Sequence, residues 1–160
     1  MIILGIDPGS TRIGVGVVEF IKGKARCIYY GVIEHPSSDR GFALRHTEDE
    51  ISRIIETYHP TAAATEKLFF AKNQTTVMAV SEFRGVILLT LAKHNLPVSE
   101  FTPMEVKRNI AGYGGAQKAQ MQKIVQLILN LKEPIKPDDA ADALALALCH
   151  SSSEKTTFPS

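Results

Sequence analysis

Residues 1–14 read M-I-I-L-G-I-D-P-G-S-T-R-I-G, and the fold turns on how they are read. An isoleucine-rich apolar run stops at Asp7, Pro8-Gly9-Ser10 supplies a tight turn, and Ile13, Val15, Val17 and Val18 resume the apolar pattern. This is strand, turn, strand, with a carboxylate at the bend. A carboxylate that ends a buried strand is costly unless a cation or hydrogen-bond donors meet it. Asp7 therefore either caps the turn through its own backbone or acts as a ligand, and this stretch alone leaves both readings open.

Working outward, residues 13–20 and 25–34 read as strands joined by Ile21-Lys22-Gly23-Lys24, which has hairpin length and a glycine. Three consecutive strands make an antiparallel meander. Phe42, Leu44, Ile51, Ile54, Ile55 and Tyr58 then recur at helical spacing among charged residues, which predicts an amphipathic helix ending before Pro60. Residues 61–65 are small and β-branched and end at Glu66, a second acid at a strand end. A long helix is expected over 75–92. It is apolar over so much of its circumference that it packs on two sides, as a core helix or with one side at a subunit interface.

A short strand over 96–101 follows. Thr102-Pro103 then marks a helix start, with an N-cap, a proline at the first position and Glu105 at the third. The break Gly112-Tyr113-Gly114-Gly115 separates a helix at 105–111 from one at 117–131, with Met121, Ile124, Val125, Ile128 and Leu131 inward. Pro134 and Pro137 close that helix. The last helix, 138–150, alternates alanine with leucine, and its small side chains let it lie close against a sheet. Strands alternating with helices indicate the α/β class. One domain is expected over 1–150, with 151–160 a disordered tail.

Composition agrees with a single soluble domain: 160 residues, 44% hydrophobic and 22% charged. The net charge of +1 neither marks nor excludes a nucleic-acid binder, because an acidic site offsets basic patches. Cys27 and Cys149 lie far apart and form no C-x-x-C pair, so a reducing, cytoplasmic setting is expected rather than a disulfide or zinc framework. The longest apolar run, 86–89, is far too short to cross a bilayer, and no membrane association is expected.

Asp139 and Asp142 are three apart on the last helix, so both carboxylates project from one face. Acids in a first helical turn often serve only to complement the helix dipole, and Asp138 is the expected N-cap. Asp142 lies about a turn in, among Ala140, Ala141 and Ala143, where an acid needs a partner. Taken together, Asp7, Glu66, Asp139 and Asp142 are hard oxygen donors without an accompanying thiolate, a set suited to Mg²⁺ or Mn²⁺. Clustered carboxylates repel one another unless cations are bound. Such a site suits two-metal phosphodiester hydrolysis, in which one ion activates a water and the other stabilises the departing 3′ oxygen.

The chain resembles the RuvC family of bacterial Holliday-junction resolvases. The resemblance rests on G-I-D-P-G-S-T-R-I-G-V-G-V-V at the start, T-E-K-L-F-F-A-K-N at 65–73, V-K-R-N-I-A-G-Y-G-G-A-Q-K at 106–118 and D-A-A-D-A-L-A-L-A at 139–147. It spans essentially the whole chain in order. The opening alone is also shared with other ribonuclease H-like and actin-like ATPase proteins. The resemblance implies a ribonuclease H-like fold, a five-stranded mixed sheet flanked by helices. It implies a homodimer that nicks two opposed strands of four-way junction DNA, leaving 5′-phosphate and 3′-hydroxyl ends in homologous recombination and DNA repair. Two Mg²⁺ per subunit, with Mn²⁺ able to substitute, and work beside the RuvA/RuvB branch-migration complex are further implications.

Carried over by motif, the family's four acids fall on Asp7, Glu66, Asp139 and Asp142. The extra acid Asp138 precedes the pair, and the D-A-A-D frame selects Asp139. Phe69 corresponds to an aromatic near the junction centre, where base stacking is worth about 1–3 kcal/mol, although Phe69 and Phe70 also fit a core. Lys107 and Lys118 match basic residues near the active site, and Lys72, Asn73 and Arg108 are lesser phosphate-contact candidates. On the residues alone, a lysine on a helix face is ordinarily just solvated. The glycines at 112, 114 and 115 leave room for backbone amides to approach a phosphate.

Three rivals remain to be weighed. An actin-like ATPase or sugar kinase shares the Asp7 turn but resembles a duplicated fold too long for 160 residues. The related YqgF-like nucleases, which act on RNA, fit the 107–118 element and the D-A-A-D helix less well. A junction-binding module without catalysis gains nothing from clustered negative charge facing phosphates.

Overall fold

The computed structural model describes residues 1–35, 39–67 and 74–154. Their strands are β1 (Ile2–Asp7), β2 (Arg12–Ile21), β3 (Lys24–Glu34), β4 (Ala62–Glu66) and β5 (Val98–Phe101). These form one sheet in the order β3-β2-β1-β4-β5. The first three make the expected antiparallel meander, whereas β4 runs parallel to β1 and β5 parallel to β4. The helices are α1 (Arg40–Tyr58), α2 (Gln74–Lys93), α3 (Pro103–Ala111), α4 (Lys118–Ile128) and α5 (Asp138–Glu154).

The period of two along each strand divides the core into two layers. Leu4, Ile6, Val15, Val17 and Ala63 point to one face and pack against Ile51 and Ile54 of α1 and Phe83, Ile87 and Leu91 of α2. Ile3, Val18, Ala62 and Ala64 point to the other, against Val106 of α3, Met121 and Val125 of α4 and the alanine-rich α5. Each fully buried aliphatic side chain here stabilises the fold by roughly 1.5–3 kcal/mol relative to exposure. Asp7 continues the alternation of Ile3 and Gly5, and Glu66 that of Ala62 and Ala64. Period alone therefore sends both acids to the face that α5 covers.

Helix α5 lies unusually close to that face because β1 and β2 present glycines to it. A Cβ on Gly5 would sit 1.9 Å from the Ala143 carbonyl oxygen, and one on Gly14 would sit 2.0 Å from that of Asp139. No side chain fits at either point. The small residues Ala140, Ala141 and Ala143 complete the contact from the helix side, all buried.

Local signals set the helix ends. The Asp39 carboxylate accepts from the Phe42 N–H at 2.6 Å and caps α1. Thr102 and Glu105 form a reciprocal capping box around Pro103 at the start of α3, as expected. Helix α4 stops at Ile128 rather than running to 131, because Asn130 takes a left-handed backbone (φ 51°) that breaks the helical repeat. Leu131 still packs inward from the turn, which is why the apolar spacing overran the helix, whereas Ile128, expected inward, is exposed and Leu129 is buried instead. Asp138 is the first residue of α5 rather than the cap before it, and α5 continues past His150 to Glu154. No helix among the described residues is long and apolar enough to cross a membrane.

Candidate active site

Asp7 and Glu66 are the last residues of neighbouring parallel strands. Ile6 pairs with Thr65, so the two acids stand one register step further on, about 4.8 Å apart in backbone spacing. The N-terminal turns of α5 pass over them, held down by Gly14 and Gly5, and bring Asp139 and Asp142 to the same end of the sheet. Acids from two strands and one helix thus converge where β1 and β4 end.

Their electrostatics record the crowding. Burial, then the charges of Asp142, Glu66 and Asp139, push the Asp7 carboxyl up to about 8, against a smaller opposing pull from Lys118. Glu66 is raised by burial and by Asp142. Asp142 is raised by burial, although Lys118 opposes the shift. Neighbouring carboxyls that disfavour one another's ionisation invite a polyvalent cation.

Two basic side chains already stand among them. Lys118, the first residue of α4, places Nζ 3.1 Å from Asp142 Oδ2 and 3.6 Å from Asp138 Oδ2. Burial pulls the Lys118 amine down, but its bond and attraction to Asp142, with Asp138 and Asp139 behind, leave it raised. Arg12, the first residue of β2, brings Nε onto Asp139 Oδ2 as an ion pair. That contact lacks hydrogen-bond geometry, and Asp139 Oδ2 is buried with no hydrogen-bond partner. Gly9, Ser10, Thr11, Arg12 and His35 line a cleft of about 600 Å³ that reaches Asp139.

Among the described residues no group of three acids, histidines or cysteines is arranged to hold a metal ion. The donor chemistry nevertheless fits a hard divalent cation: four carboxylates without a thiolate, three of them with raised pKa values. Arg12 and Lys118 serve as counter-charges to Asp139 and Asp142.

Of the other residues singled out by sequence, Lys118 joins the acids directly. Lys107 is half-buried and Arg108 exposed on α3, and no ion pair among the described residues ties either to the four acids. Arg108 acts instead on the capping Glu105. Phe69, Lys72 and Asn73 lie outside the described residues. Sequence reasoning passed over Arg12, whose only signal was a lone cation directly after the turn that follows Asp7.

The family described as crossover junction endodeoxyribonuclease RuvC matches residues 3–150. The chain belongs to the RuvC family. Relatives in that family include proteins named crossover junction endodeoxyribonuclease RuvC from Roseiflexus sp. strain RS-1 and from Petrotoga mobilis. The first is 49% identical over 92% of this chain and 88% of its own length. The second is 48% identical over 94% and 93%. Among solved structures, T. thermophilus RuvC in complex with Holliday junction substrate is similar at a TM-score of 0.92 and 32% identity, covering 97% of this chain and 95% of that one. The RuvC fold, a ribonuclease H-like five-stranded mixed sheet flanked by helices, is the architecture described above.

Proposed function

We propose that this chain is a divalent-metal-dependent endonuclease that resolves four-way DNA junctions by paired symmetric nicks, in recombination and repair. The observation that carries the proposal is the convergence of Asp7, Glu66, Asp139 and Asp142 at one end of the sheet, with Asp7 raised to about 8 by burial and its neighbours. A protein that only bound DNA would gain nothing from anionic groups crowded against phosphates.

In this reading Asp7, Glu66, Asp139 and Asp142 hold the metal, and Lys118 orients Asp142 and meets DNA. When bound, Mg²⁺, two per subunit with Mn²⁺ as a substitute, supplies an acidified water and stabilises charge on the leaving 3′ oxygen. The β1 and β4 ends fix Asp7 and Glu66, while α5 carries Asp139 and Asp142 as one rigid unit. The water oxygen bonds to phosphorus as the bond to the 3′ oxygen breaks. The water loses its proton to solvent and the 3′ oxygen gains one, giving 5′-phosphate and 3′-hydroxyl ends. Lys107, Arg108, Lys72 and Asn73 contact phosphates, and Phe69 stacks on a base near the junction centre.

Symmetric nicking requires two copies of the site. The homodimer uses the outer face of α2, where Met78 is 67% and Leu89 56% exposed, with Gly85 open between them on one helical stripe. The enzyme works in the cytoplasm, beside the RuvA/RuvB branch-migration complex, and residues 1–150 form its single domain.

The deciding experiment incubates the protein with a synthetic four-way junction and with linear duplex, each with and without Mg²⁺. Metal-dependent cutting of the junction alone is expected. Failure to cut it, or equal cutting of both substrates, would sink the proposal.

A further inference from the structure

The Arg12–Asp139 pair, like Lys118–Asp142, ties another element to an acid of the site. It joins the first residue of β2 to an acid of the site itself, across the cleft at residues 9–12. The guanidinium approaches Asp139 Oδ2 without a hydrogen bond, so a buried carboxylate oxygen is left with charge compensation alone. The Arg12 side chain is 45% exposed, and exposed pairs contribute little. A guanidinium is also the side chain best shaped to grip a phosphate with two parallel N–H donors. Its backbone is fixed in the ladder opposite Glu34, so only the side chain has to swing.

Resting on the metal-nuclease reading above, we propose that Arg12 is a positioning residue. In the free protein it holds Asp139 as a surrogate cation, and it surrenders Asp139 to the metal when a DNA phosphate entering the cleft takes the guanidinium. This couples assembly of the metal site to the presence of substrate. Lys118 is ion-paired with Asp142 and Asp138, so among the described residues Arg12 is the cation ion-paired with Asp139.

The test measures Mn²⁺ binding to the full-length protein by calorimetry without DNA. Arg12→Gln should tighten metal binding by up to about fivefold, the factor equivalent to an exposed ion pair, whereas Arg12→Lys, which keeps the charge, should remain near wild type. In an Asp139→Asn background Arg12→Gln should have no effect, because the partner is gone. In metal-free junction binding, Arg12→Gln should also reduce the slope of log K against log salt by about one. Unchanged or weaker metal binding in Arg12→Gln overturns the proposal, as does an unchanged salt slope. Asp7→Asn separates the two levels. If it abolishes Mn²⁺ binding while Arg12→Gln matches wild type, the metal site stands and the Arg12 proposal falls; if Asp7→Asn binds Mn²⁺ normally, both fall.

Discussion

Asp7 stands directly across the β1–β2 ladder from Gly14, and the bare Cα of Gly14 is where the backbone of Asp139 rests. Gly14, together with Gly5, therefore sets the height of α5 above the strand that carries the first acid. A methyl there would lie 2.0 Å from the Asp139 carbonyl oxygen, so the start of α5 has to lift. Gly14→Ala should cost about 1–3 kcal/mol in urea unfolding. It should also slow junction cleavage by about 10²-fold, because a shift of an ångström misplaces Asp139 and Asp142. A Gly14→Ala protein that cuts at the wild-type rate would show that this close approach does not position the site.

The Asp7 shift makes metal-free stability depend on pH, with a definite sign. The folded carboxyl titrates at about 8, well above the ordinary carboxylate value of its unfolded counterpart. Between those two values the folded state holds a proton that the unfolded state has lost, so stability falls as pH rises through the window. In chelator the unfolding free energy from urea titrations should decline from about pH 5 to pH 8, by an amount on the order of 1–3 kcal/mol after discounting for solvent screening. Asp7→Asn should flatten the decline and be the more stable protein at pH 8. Metal binding, which requires the deprotonated acid, should strengthen over the same range.

Much of this was legible in the sequence because it depends on short-range pattern. The period of two placed Asp7 and Glu66 at strand ends, and Thr102-Pro103 with Glu105 placed the start of α3. What escaped were contacts between elements distant in the chain. Nothing local to Arg12 indicates that Asp139 lies beside it, and Gly5 and Gly14 read as unremarkable strand residues until a helix lies on them. The end of α4 escaped for a different reason. Leu129 and Leu131 remain apolar and inward after the helix has ended, so hydrophobic spacing could not register the left-handed turn at Asn130.

If the acids serve chemistry rather than the fold, removing one charge should separate cutting from binding. Asp7→Asn and Glu66→Gln should each lower junction cleavage by about 10²- to 10³-fold or more. Affinity for the junction in gel-shift or anisotropy assays should hold or rise, because a negative charge facing phosphates has been removed. Loss of binding in proportion to loss of cutting would assign these acids a structural role instead.

Paired nicking depends on the two active sites being held together, and α2 is the element to perturb. Phe83, Ile87 and Leu91 commit one side of it to the core, so substitutions on the opposite side leave that packing untouched. Single exposed apolar residues are common on any surface. Met78 and Leu89, however, share a stripe on which Gly85 leaves space for a second helix to approach. Leu89→Asp places a charge on that stripe beside Gly85. It should leave the monomer's unfolding free energy within about 0.5 kcal/mol of wild type and shift sedimentation from dimer to monomer. The two cuts in a junction should then become independent, so that singly nicked product accumulates. A Leu89→Asp protein that remains dimeric would place the subunit contact on another face.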